Sequence, residues 1–217
     1  VLFVIVAAAV LLYNSGIFQR SATALTVDGK DFTAAEVDYY YYSALNSVAS
    51  SQYSSILGLS TSTSLKSQTI NSTAKMLLQI SDEGDITWDE YLKDQAKTNL
   101  TQRYLLSEKA KAEGITFDDD MKAELNDTLD QITANAKQNG GYTLSAYLKL
   151  LYGSNMTVST FKSLFEMDEL ASHYVQEYVD GLTYTDDELE ACYEADKNSF
   201  DVTDFEYISF TATAAST

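Results

Sequence analysis

The residue types that most often do chemistry are thin on this chain. Its 217 residues include one histidine, His173, and one cysteine, Cys192. Zinc sites, Cys-His dyads and Ser-His-Asp triads announce themselves as patterned sets of such residues, and no such set is present. The chain carries no motif-level enzyme. A single thiol also forms no internal disulfide and leaves the redox compartment unread. His173 is expected at a surface or boundary position, and Cys192 as a small half-buried helix residue. Carboxylates are plentiful, yet their runs have simpler readings. Acids in the first turn of a helix are favoured by the helix dipole, which accounts for Asp118-Asp119-Asp120. The stretch "QISDEGDITWDE", residues 79 to 90, places Gly84, Ile86 and Glu90 where a calcium loop has its sixth, eighth and twelfth positions. Its first position would be Gln79, which supplies no carboxylate, and Glu90 is claimed by a helix cap. Neither a metal, a cofactor nor a catalytic residue is expected.

What remains is surface suited to binding. The chain has 16 tyrosines, and tyrosine offers apolar area plus a hydroxyl at low rotamer cost. Tyr39, Tyr42, Tyr147, Tyr152 and Tyr174, with Met167 and Leu170, are the candidate polypeptide-binding residues. Ordinary packing is the competing reading. At about 100° per residue, Val37, Tyr41, Leu45 and Val48 share one helix face, so Tyr39 and Tyr42 fall off it. The run "YYYY" at 39 to 42 must therefore also meet solvent, another helix or a bound chain. Further along, Phe161, Phe165, Val175 and Val179 form one stripe while Met167, Leu170 and Tyr174 lie opposite. That helix is apolar on two sides.

A formal charge of −18 repels phosphate backbones and anionic membrane surfaces, which excludes nucleic acid as a partner. Proline is absent, where average usage of about 5% would give roughly ten. Helices are favoured, and the length suits one modest domain after any targeting segment is set aside.

The elements that must position these residues are legible from their boundaries. "LTVDGKDFT", residues 25 to 33, alternates around Asp28-Gly29, a dipeptide suited to a two-residue hairpin turn. Capping boxes are read at Thr33 to Glu36, Thr87 to Glu90, Thr116 to Asp119 and Thr185 to Glu188. The spacing predicts helices over 34–56, 88–113, 118–138, 144–152, 158–180 and 186–197, and a strand over 203–212. Within 88–113, apolar residues recur every four positions, so the stripe rotates around the helix and should meet different neighbours along its length. Residues 43–86, rich in Ser and Thr, read beyond the first helix as a long, partly irregular connection. The expected fold is mainly α: a multi-helix array with a small N-terminal β-hairpin and a C-terminal strand, preceded by an apolar anchor helix.

That anchor is "VLFVIVAAAVLLYNSGIF", uncharged and worth roughly −3 to −5 kcal/mol of insertion tendency. Residues 1–20 are read as a transmembrane anchor or signal segment. The run begins at Val1 rather than Met, so its natural start and any basic flank are expected upstream. Cleavage after Ala22-Thr23-Ala24 is the alternative, giving a secreted product. Either route places the remainder outside the cytoplasm, with an anchored form single-pass in the cell membrane.

In order and spacing, "LTVDGKDFTAAEVDYYYY", "TWDEYLKDQAKTNLTQRYLLSEKAKAEGITFDDD", "SAYLKLLYGSNMTVSTFKSLFE" and "TYTDDELEACYEADKNSFD" resemble the N-terminal chaperone domain of the SurA and PrsA-like extracytoplasmic foldases, in their membrane-anchored bacterial form. The resemblance implies that residues 25–201 form a helical cradle for unfolded or partly folded secreted polypeptides, with homo-oligomers possible. In such proteins a parvulin-type peptidyl-prolyl isomerase domain often follows. Residues 202–217 would then be the opening strand of a truncated or degenerate parvulin-like domain. Parvulins usually carry His-Ile-Leu on this strand, and here Tyr207-Ile208-Ser209 stands in its place, so no catalytic residue carries over. Three readings stay open: a chaperone that binds without chemistry, the N-terminal part of an isomerase whose active domain lies beyond Thr217, and a structural adaptor of the cell envelope.

Overall fold

A computed structural model describes residues 22–81, 84–201 and 206. The anchor read at residues 1–20 and, apart from Glu206, the strand read at 203–212 lie outside the described residues. No helix among the described residues is long and apolar enough to cross a membrane. The chain is mainly helical and divides into two units, one up to Glu177 and one from Tyr178 onward.

The first unit opens with strands β1 (Thr23–Val27) and β2 (Lys30–Thr33), paired antiparallel. Asp28 and Gly29 both adopt positive φ, 47° and 77°, the twist that a two-residue hairpin between right-twisted strands requires. Helix α1 (Ala34–Ser50) follows at once, and the Thr33 amide donates to Glu36 Oε2 at 2.7 Å, satisfying a donor with no intrahelical partner. The helix stops at Ser50, short of the expected Ile56. There the Ser50 and Ser51 hydroxyls donate to carbonyls of the last turn, a competition with helix propagation that serine is prone to.

The Ser- and Thr-rich stretch is more structured than its weak periodicity implies. It folds as α2 (Ser54–Leu57), a 3₁₀ turn (Leu65–Ser67) and α3 (Ser72–Leu77). Leu57, Ile70 and Ala74 bury against Trp88 to form a small second core. Side-chain amides replace periodic structure here. Gln68 Nε2 donates to the carbonyls of Ser60 and Thr63, while Asn71 Nδ2 donates to Leu57 O and its Oδ1 accepts from the Ala74 amide. Such fixation comes from particular residues, so periodicity could not foretell it.

Helix α4 (Trp88–Ala112) and helix α5 (Asp119–Gln138) come next, then α6 (Leu144–Tyr152) and α7 (Val158–Asp180). The apolar stripe of α4 rotates as its four-residue spacing requires. Trp88 belongs to the small core, Ala96 and Leu100 to the main core, and Ala110 to a third cluster with Met121 and Leu170. The main core joins these α4 residues to Leu125 and Leu129 of α5, Leu148 of α6, and Phe161 and Leu164 of α7. One cap is corrected. Helix α5 begins at Asp119, and its N-cap is Asp118, whose side chain accepts from the Met121 amide at 2.9 Å. Asp caps as well as Thr does, and lying two residues nearer the first core residue it displaces Thr116.

The second unit contains the end of α7, then α8 (Asp186–Ala195) and α9 (Lys197–Phe200). Thr185 and Glu188 form the expected capping box. Local contacts hold this unit: Tyr193 packs on Phe200 and donates to Asp201 at 2.7 Å. None of its described residues from 178 to 201 is buried. Cys192, expected half-buried, is exposed.

Candidate functional site

The four consecutive tyrosines of α1 project around the whole helix because successive residues are about 100° apart. They meet three other helices. Tyr40, the most buried at 5% exposure, donates its hydroxyl to Asp168 Oδ1 of α7 at 2.5 Å. Tyr39 donates more weakly to Asp168 Oδ2 at 3.4 Å and packs edge-on against Tyr40. Tyr41 donates to Asp89 Oδ1 of α4 at 3.1 Å, whose other oxygen takes Lys93 Nζ at 2.7 Å. Tyr42 stacks edge-on with Tyr41 and lies over Gly153, just after α6, where a Cβ would come within 2.9 Å of its ring.

The other sequence candidates are dispersed. Tyr152 packs against Tyr39 at a centroid distance of 4.8 Å and against Phe161 at 5.8 Å. Tyr147 stacks on Tyr142 and accepts from Asn139 Nδ2. Tyr174 packs beside the third cluster, to which buried Leu170 belongs. Met167 is buried in the main core. Met167 and Leu170 also border a recess of about 410 Å³ with Phe32 and Tyr104. Structure therefore brings together Tyr39 and Tyr152 in one aromatic group and Met167 and Leu170 at another place. Tyr42, Tyr147 and Tyr174 stand apart from both recesses.

A larger recess, about 630 Å³, opens where α1, α4 and α7 meet. Tyr39, Tyr40 and Ser43 come from α1. One wall is Asn99, Gln102, Arg103 and Leu106 of α4, positions i, i+3, i+4 and i+7 that line one helix face. The facing wall includes Asp168, Ser172 and Val175 of α7. Arg103 bridges the walls: its Nη1 donates to Ser172 Oγ at 2.9 Å and its Nε lies 4.0 Å from Asp168 Oδ1.

The electrostatics of this floor are set by burial. Burial pushes the Asp168 carboxyl above its ordinary range, partly offset by Tyr40, Arg103 and Tyr39. Burial, with the Asp168 charge added, pushes both phenols far above theirs. A phenol held neutral is a donor and not a nucleophile or base, and the Asp168 oxygens are already engaged as acceptors by two hydroxyls. The arrangement holds and orients. Among the described residues no group of three or more acidic, histidine or cysteine side chains is placed to hold a metal ion.

Sequence reading missed Tyr40, Asp168, Arg103, Asn99 and Gln102. One signal was present: Asp168 follows Phe161 by seven residues and Leu164 by four, which sets an acid on the inward face of its own helix. An acid there demands a partner, although the sequence does not say which. No protein-family model, curated protein or solved structure matches the chain.

Proposed function

We propose that this chain is a membrane-anchored, extracytoplasmic chaperone or foldase domain that holds non-native secreted polypeptides without making or breaking bonds. The observation that carries the reading is the recess between α1, α4 and α7. Its volume falls in the roughly 300 to 1,000 Å³ range of ligand sites, and it mixes tyrosine rings and aliphatic groups with carboxamides and hydroxyls. Such a lining suits a ligand that is itself part apolar and part amide. The resemblance of four segments to SurA and PrsA-like foldases supports the same reading, as does the apolar run at residues 1–20 for the anchor. The candidate apolar contacts need not all be free for this role, since weak reversible holding needs only a few exposed anchors.

The full chain, carried in lipid nanodiscs, should suppress aggregation of a chemically unfolded client at near-stoichiometric ratio. If light scattering is unchanged by a chain whose circular dichroism shows it folded, the proposal fails.

A further inference from the structure

Within that reading, on which this inference rests, we propose that the α1–α4–α7 recess recognises the peptide backbone of an extended segment rather than its side chains. Several polar groups of the recess are already used. Asp168 accepts from Tyr40 and Tyr39, and Arg103 is tied to Ser172 while lying close to Asp168. The two charges are therefore engaged with each other and with neighbours, so the recess has no strong preference for an anionic or cationic ligand. Asn99 and Gln102 differ. Among the described residues neither side chain makes a hydrogen bond, though both border the recess. Asn99 is half-buried and Gln102 exposed.

A carboxamide presents two N–H donors and a carbonyl acceptor. Its hydrogen-bonding face matches that of a peptide group, donor beside acceptor, both neutral. Two such groups three residues apart on one helix face offer a short ladder to a chain that has lost its own secondary structure. Every non-proline residue supplies this pattern, so recognition by it is independent of sequence. The apolar contacts agree with that. Leu106 and the half-exposed Val175 add aliphatic surface from opposite walls, and the Tyr39 ring adds a rigid aromatic one, contacts that any apolar side chain can use. A folded protein, with its backbone groups paired internally, offers nothing to the ladder, and that difference would separate unfolded clients from native ones.

The test uses the full chain and an end-capped, unstructured peptide, compared with the same peptide N-methylated at alternate residues. Methylation keeps the side chains and removes the backbone donors. Calorimetric titration should give a Kd about tenfold weaker for the methylated peptide, the loss expected for one to two hydrogen bonds. The double variant N99A/Q102A should weaken the unmodified peptide about tenfold and narrow the gap between the two peptides. Both side chains lack internal hydrogen bonds, so its melting curve should match the parent's. Equal affinity for the two peptides, or an unchanged Kd in a folded double variant, overturns backbone recognition. If aggregation of an unfolded client is still suppressed in that case, polypeptide holding stands and only this inference falls. If the folded parent neither binds the unmodified peptide nor suppresses aggregation, both fall.

Discussion

Asp168 sits on the inward side of α7 and is hydrogen-bonded by two tyrosines from α1. Removing the nearer hydroxyl, Tyr40→Phe, leaves a largely buried carboxylate short of a partner and should cost about 1 to 3 kcal/mol in denaturant unfolding. Asp168→Asn keeps an acceptor for Tyr40 while removing the buried charge, and it should be milder at neutral pH. The pH dependence separates the two effects. Because burial raises the folded pKa of Asp168, the folded state binds its proton more tightly than the unfolded state does. Its contribution to stability is full below the ordinary carboxylate value and is lost as pH rises through the raised folded value. Glu90 and Glu188 have the opposite sign. Hydrogen bonds from the Thr87 and Thr185 backbones, then from their side chains, lower these pKa values. Their contribution is present above the ordinary value and lost as pH falls through the depressed one. The Asp168→Asn chain should therefore lose part of the decline in melting temperature between the ordinary carboxylate range and neutrality, the remainder belonging to Asp38 and Glu169, which burial also raises, yet keep the acid-side decline. A profile parallel to the parent's throughout would contradict the raised value. Gly153 tests a different constraint. Its φ of +95° and the Tyr42 ring above it both resist a side chain, so Gly153→Ala should cost about 1 to 3 kcal/mol, read by the same denaturant titration.

Elements differ in how they are held, and that sets their dynamics. Helices α4 to α6 and the first four turns of α7 bury residues in shared cores, whereas α8 buries none. Amide hydrogens of α8 should exchange with solvent by local opening, well before those near Leu100 or Leu129; equal protection would mean an unseen partner covers α8. The segment 54–80 depends on a core of few residues. Ile70→Ala removes most of one of them and should cost about 2 to 5 kcal/mol, with protection lost over 54–80 and retained over 119–138. Boundaries at Thr33, Thr87 and Thr185 were legible because a capping box is a local code. The end of α1 was not legible because serine hydroxyls competing for the last-turn carbonyls leave no mark on apolar periodicity, and the folds within 54–80 were not legible because they depend on Asn71, Gln68 and Trp88 meeting partners that periodicity does not register. The Asp168 site failed for the same reason: its partners lie 65 to 129 residues away, and only the inward acid itself left a trace.

At the scale of the whole chain, a net charge of −18 opposes compaction through self-repulsion. Salt shortens the range of that repulsion to about 10 Å at 0.1 M. The melting temperature should rise between low salt and roughly 0.5 M sodium chloride, where the few exposed ion pairs lose little because each contributes little. A fall instead would mean that attractive pairs outweigh the excess of acid. The helix-rich architecture could be foreseen from the missing prolines and repeated caps, but charge and composition carry no information on which helices leave space between them. A single tryptophan, Trp88, is 1% exposed and belongs to the minor core with Leu57, Ile70 and Ala74, while tyrosines crowd the major one. The molecule thus carries its own two-colour optics. Indole emission would register the loss of the minor core where α2 and α3 meet the start of α4, and tyrosine absorbance, weighted toward the larger cluster, would report the rest, so the order in which the two give way can be watched in one cuvette without a label.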